Sequence, residues 1–148
     1  MEQQIVKQAR MKIDHLLNQA KAITPNREVA LALTNLQRGG MWLGLVLAAL
    51  GASNPYPEST DPTSAKIEER ADQAKDSPDM FEGMPTENRT QSVKWLRLNI
   101  QNLVDHLKMK VNYNSELLVA LQALQESKMW FGQELNNIRI QEESKATG

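Results

Sequence analysis

Cysteine is absent from the 148 residues, which excludes disulfides, thiolate zinc sites and a cysteine nucleophile. Histidine is nearly as scarce. Only His15 and His106 are present, and no second histidine or carboxylate stands near either at the HExxH spacing of a helical metal site. A GxSxG elbow, a P-loop and a dinucleotide-type glycine fingerprint are all missing, so hydrolase and nucleotide-transfer chemistry lack their usual parts. The formal net charge is −1 with the basic residues spread along the chain. No basic stripe of the kind duplex nucleic acid requires is formed, although a compact anionic ligand stays compatible. No apolar run approaches the roughly 18 residues of a membrane span, and "MEQQIVKQARMK" is amphipathic without the apolar core of a signal peptide. The expected setting is therefore the cytoplasm, with no membrane partner.

What the chain does contain is leucine at helical spacing. Four segments, about 3–22, 26–50, 89–110 and 114–142, carry that period, which predicts an all-α fold. "AITPNRE" separates the first two, with Thr24 or Asn26 as caps, and "KVNYNSE" separates the last two, with Asn114 as cap. Connections this short make antiparallel helical hairpins, and two such hairpins make a helical bundle. Residues 51–88 hold all but one of the six prolines and many acidic and hydroxyl side chains. Three parts follow: a hairpin over 1–50, a linker or loop over 51–88, and a hairpin with a polar tail over 89–148. The central segment is either a mobile tether, which its composition favours, or an ordered loop that packs across a site and supplies Tyr56 and Lys66.

The two hairpins repeat each other. "TNLQRGGMWLG" at 34–44 and "QALQESKMWFG" at 122–132 align at a constant offset of 88 residues, which also pairs Asn26 with Asn114, Ala32 with Ala120 and Leu47 with Leu135. Upstream, a three-residue change in the turn pairs Asp14-His15-Leu16 with Asp105-His106-Leu107. Both second helices carry a seam of alternating fours and threes, Val29 to Leu50 and Leu117 to Ile138. A glycine pair within a helix costs roughly 1 kcal/mol per residue against alanine, so Gly39-Gly40 needs a packing or binding reason.

Three groups of residues carry candidate chemistry. Adjacent Asp and His on a helix point about 100° apart and do not chelate together, so each His reads better as a residue hydrogen-bonding its neighbouring helix. Gln37, Met41 and Gly44, repeated as Gln125, Met129 and Gly132, form a small-residue column suited to close approach by another subunit or by a ligand. Trp42 and Trp130 lie off the seam, where an indole serves a subunit interface or stacks a base. Gly40 and Lys128 hold equivalent seam positions, and the lysine there snorkels outward or meets a negative partner. By elimination, binding or assembly takes precedence over catalysis. No catalytic residue, metal ligand or cofactor is assigned.

The "DHL" string, the turn, the repeated "LQxxxMWxG" string and Asn54-Pro55-Tyr56-Pro57 resemble a family of small phage proteins. These are the anti-CBASS cyclic-nucleotide sponges and the related Thoeris anti-defence sponge, which share a helical hairpin domain. The resemblance covers both hairpins, about two-thirds of the chain. It implies a non-enzymatic homo-oligomer in the cytoplasm of a bacterial host. Such a protein binds cyclic di- or trinucleotides, or cyclic ADP-ribose derivatives, between subunits and withholds them from an effector. With two hairpins per chain, a trimer imitates a six-hairpin assembly. Phosphates call for Arg or Lys donors and bases for aromatic or guanidinium faces. The chemistry nominates Arg10, Lys12, Arg27, Arg38, Arg97 and Lys128 with Trp42, Tyr56, Tyr113 and Trp130, and further cations at Arg89 and Lys94. The competing reading is a helical assembly protein with no small ligand.

Overall fold

Asn26 and Asn88 hold extended backbone ahead of their helices and, like Asn114, turn a side chain onto an orphan amide. In the computed structural model Asn26 accepts from the Val29 N–H at 2.9 Å, Asn88 from Gln91 at 2.8 Å and Asn114 from Leu117 at 2.7 Å. The structure describes residues 2–51 and 81–147. It forms four helices and, among the described residues, no strand: α1 (Glu2–Ala20), α2 (Arg27–Ala49), α3 (Arg89–Lys110) and α4 (Ser115–Thr147). At the end of α2, Gly51 takes φ +85°, a left-handed conformation that glycine adopts without a Cβ penalty and that stops the helix.

α2 and α4 share the most extensive contact, flanked by α1 on α2 and by α3 on α4, with α1 also touching α3. The pairing directions follow from single contacts. Gln3 Nε2 donates to the Leu50 carbonyl at 2.8 Å while Ile13 lies beside Gly40, so α1 and α2 run antiparallel. Asn26 meets Glu134 and Ser127 Oγ donates to the Ala32 carbonyl at 2.6 Å, which makes α2 and α4 antiparallel. Arg89 reaches Glu134 and Arg97 reaches the Lys128 carbonyl, the same relation for α3 and α4. The four helices enclose one core that includes Leu16, Leu36, Leu43, Ile100, Leu107, Leu124 and Phe131. Each fully buried leucine or phenylalanine contributes about 2 kcal/mol of transfer free energy, which offsets the ordering of these helices.

Close approach in the centre needs small residues, and the two copies meet it differently. A Cβ on Gly39 would lie 2.7 Å from Leu124 Cδ2 and 3.6 Å from the Ala120 carbonyl. Its counterpart Ser127 is fully buried and bonds the carbonyl of Ala32, the counterpart of Ala120. The same contact is thus made twice with the helices exchanged, as an approximate two-fold relation between α2 and α4 requires. Gly39 has its reason in Leu124.

The equivalence of the two "DHL" strings is corrected by the structure. Arg10 lies on Gly44 and Arg97 on Gly132, so α1 and α3 correspond at an offset of 87, not 91. In that register Val6, Ile13 and Leu16 match Val93, Ile100 and Leu103, all buried. The "DHL" alignment instead equates buried Asp14 and His15 with exposed Asp105 and His106. The two registers differ by four residues, about one helical turn, and so present the same face. The turn between the helices therefore changes by one residue, not three.

Leu50 lies at the start of α1, whereas Met84, whose N–H donates to Gln19 Oε1 at 3.0 Å, lies near its end. The two contacts fall at Gln3 and Gln19, roughly 24 Å apart along α1 at about 1.5 Å per residue. That distance rules out a short turn between α2 and α3. Met84 is buried, and Phe81 to Pro85 pack at the end of α1 and the start of α3, so the last part of the proline-rich segment belongs to the fold. Residues 52–80, which include Tyr56, Lys66 and Asn54-Pro55-Tyr56-Pro57, lie outside the described residues.

Candidate functional site

The two glycines that close the repeated strings seat arginines. An added Cβ on Gly44 would stand 3.4 Å from Arg10 Cζ, and one on Gly132 3.5 Å from Arg97 Cζ. The small-residue column is therefore filled at these points by guanidinium groups of the same chain, not left open for another backbone. Arg10 is buried, while Arg97 is half-buried and donates through Nε to the Lys128 carbonyl at 3.3 Å. The rest of the column, Gln37, Met41, Gln125 and Met129, is exposed, with Met41 at 48% and Met129 at 52%.

Gly40 and Lys128 have different surroundings. Beside Gly40, a recess between Arg10, Asp14, Leu17 and Met41 has room for a single water-sized group, far less than a nucleobase. In the other copy the Lys128 side chain reaches Gln101 Oε1, which satisfies the ammonium at the seam with a neutral acceptor.

The remaining nominated residues are dispersed. Lys12 Nζ lies 5.8 Å from the Trp95 ring centroid, and Arg27 Cζ 5.4 Å from that of Trp130. The second pair brings α2 and α4 together and uses the indole for a cation. Arg38 donates to Asn35 Oδ1 at 3.0 Å and stands 3.8 Å from Glu126. Trp42 is partly buried against the core, and Tyr113 is 72% exposed beyond the end of α3. Tyr56 is not among the described residues. No groove within the described chain gathers the nominated set as a whole.

Two positions that the sequence reading passed over are structurally prominent. Glu134 is only 2% exposed; its Oε2 accepts from Arg89 Nη2 at 2.7 Å and from the Asn26 amide, tying the starts of α2 and α3 to α4. Its counterpart in the repeat is the buried Val46, so the register already marked the position as interior. Trp95 takes the edge of His15 at 6.3 Å, and Phe81 takes it at 5.2 Å. His15 Nε2 stands 2.7 Å from the Glu82 carbonyl, an arrangement that requires the proton on Nε2. Burial, offset in part by that hydrogen bond and reinforced by nearby Lys12, pushes the His15 pKa below its ordinary 6.5. Its buried neighbour Asp14 has partners within the fold. Among the described residues no three His, Asp or Glu side chains gather as metal ligands.

An open groove of about 410 Å³ runs between α3 and the far half of α4. Thr90 and Lys94 form one wall, and Leu135, Asn136, Ile138 and Arg139 form the other, with Gly132 at its inner end. Arg97, on the turn after Lys94, rests on that glycine. This volume falls within the range of small-molecule sites.

The described chain is thus an all-helical protein of four helices, none of them long and apolar enough to cross a membrane. Comparisons with protein families, with curated proteins and with solved structures each find no match for this chain.

Proposed function

We propose that the chain acts by binding rather than catalysis, as a phage-type anti-defence sponge. It sequesters cyclic di- or trinucleotides, or cyclic ADP-ribose derivatives, without cleaving them. In this reading the helix pairs α1–α2 and α3–α4 are tandem copies of one hairpin. Chains assemble into a homo-oligomer, such as a trimer of tandem hairpins, in the cytoplasm of the host bacterium.

The observation that carries the reading is the fate of the repeated strings. Their leucines and glycines are consumed by packing within the chain, whereas Met41 and Met129 stay half exposed at equivalent places. Leu45 and Leu118 add further exposed apolar surface on the same two helices. The repeat therefore keeps soft apolar side chains half exposed at matching places among the described residues, the material of a subunit contact. Sponging further requires Kd values near nanomolar, about −12 kcal/mol, which convergent cations and aromatic faces from more than one subunit supply.

A second reading, assembly without a small ligand, is favoured by one specific observation. Arg10, Arg27 and Arg38 are already engaged by Gly44, Trp130 and Glu126.

A thermal-shift panel of cyclic di- and trinucleotides and cyclic ADP-ribose derivatives separates the two. A tight ligand raises Tm by mass action, and its return intact from the heat-denatured complex marks a sponge. A panel without any shift leaves the assembly reading, and a linearised product means an enzyme. The native mass of the protein tests the oligomer directly.

A further inference from the structure

We propose that the groove between α3 and the far half of α4 is a binding site for one phosphodiester-linked nucleotide unit, formed by the second helix pair. The proposal rests on the sponge reading and gives it a location.

The groove exists because the two copies end differently. Residue for residue, the end of α2 at Ala49 corresponds to Asn137 of α4, yet α4 continues to Thr147. Ile138, Arg139 and Glu142, which help to wall the groove, all come from this extension. In the first copy the place of Ile138 falls to Leu50, whose carbonyl is bridged by Gln3 Nε2 at 2.8 Å. The place of Arg139 falls to Gly51, where the left-handed backbone has already ended the helix. Among the described residues the first copy thus retains the lysine, as Lys7 against Lys94, but no helical wall facing it.

The lining chemistry matches a nucleotide unit. Leu135 and Ile138 are partly buried and offer an apolar surface for a ring. Lys94 supplies an exposed ammonium, and Arg139 a planar fork held by Asn136 Oδ1 at 2.7 Å and Glu143 Oε1 at 3.1 Å. A guanidinium braced in this way loses less freedom on meeting a phosphate. Glu142 also lines the groove and accepts from a ribose hydroxyl or an exocyclic amine. Glu143 offsets Arg139, with which it pairs, and Glu142 offsets Lys94, so the cations are balanced and the groove suits a phosphodiester, with its single negative charge, better than a di- or triphosphate.

The test is titration calorimetry of the full chain with cyclic di-AMP, or with whichever cyclic nucleotide of the panel gives the largest thermal shift. Lys94→Glu and Arg139→Glu are compared with Lys7→Glu on the other helix pair. Lys94 and Arg139 are exposed and Lys7 is partly buried, so Tm without ligand serves as the folding control. The proposal expects each groove variant to weaken binding at least tenfold and Lys7→Glu to leave it within twofold. Undiminished binding by both groove variants overturns the site while leaving the sponge standing. If no nucleotide of the panel binds the unaltered chain, the sponge reading fails and the site fails with it.

Discussion

Arg38 and Glu126 occupy the same position in the two copies of the repeat, and they face each other across α2 and α4 with Nη1 and Oε2 3.8 Å apart. A repeat that paired with an identical copy of itself would set Arg against Arg or Glu against Glu at this point. The opposite charges favour the pairing found within this chain and disfavour self-pairing of either helix, which is how a difference in affinity is built from a repulsive alternative.

Both side chains are about half exposed, so the attraction itself is worth about 0.2–1 kcal/mol. Arg38→Glu sets two carboxylates together and should lower Tm by a few degrees. Adding Glu126→Arg should restore most of the loss in a double-mutant cycle, and raised salt should shrink the effect. A double variant no better than the single one would show that the charges do not interact.

The glycine pair divides by sign. Gly39→Ala places a methyl 2.7 Å from the fully buried Leu124, and overpacking of this kind costs about 1–3 kcal/mol, more than the roughly 1 kcal/mol gained in helix propensity. Gly40→Ala meets Ile13 Cγ2 at 3.4 Å, a contact that a small shift relieves, so propensity prevails and stability rises by up to about 1 kcal/mol. Urea denaturation of the two variants should give midpoints on opposite sides of the parent protein.

These outcomes mark what the sequence could convey. The leucine seams and the asparagine caps were legible because their signals are local, an apolar period and a side chain that reaches its own helix. The register of α1 against α3 was not, since a four-residue slip keeps the same face toward the core and a matching "DHL" string outweighed scattered identities. Glu134 and Trp95 escaped for another reason. Repeat comparison rewards what recurs, and each of these occurs in one copy only. The α3–α4 groove depends on where α4 stops relative to α2, which helical period does not reveal.

Glu134 joins three helix segments, and its loss should be felt in all of them. Glu134→Ala leaves Arg89 without its carboxylate in a site that is partly closed to water, at a cost of about 2–3 kcal/mol. Arg89→Ala should cost comparably, and the double variant should cost much less than the sum of the two. Equilibrium denaturation of the three proteins measures the coupling. Strict additivity would mean that the hydrogen bonds between Arg89 and Glu134 contribute nothing to the fold.

His15 should make the fold sensitive to mild acid. Burial is the largest cause of its lowered pKa, Lys12 adds to it, and the Glu82 carbonyl opposes it without reversing it. In the unfolded chain the imidazole titrates near 6.5, so just below that pH the unfolded state holds a proton that the folded state refuses. Stability therefore rises with pH through this window, is fully present above 6.5, and is lost as pH falls from 6.5 toward the folded pKa. Protonation puts a charge in the buried place between Phe81 and Trp95, which should weaken the hold of the Glu82–Met84 segment on α1. Tm measured between pH 7.5 and 5.5, above the range where carboxylates dominate, should fall for the parent protein and for His106→Gln. It should fall less steeply for His15→Gln. A slope unchanged by His15→Gln would place the acid sensitivity elsewhere, and tryptophan fluorescence followed through the same titration shows whether Trp95 reports the change.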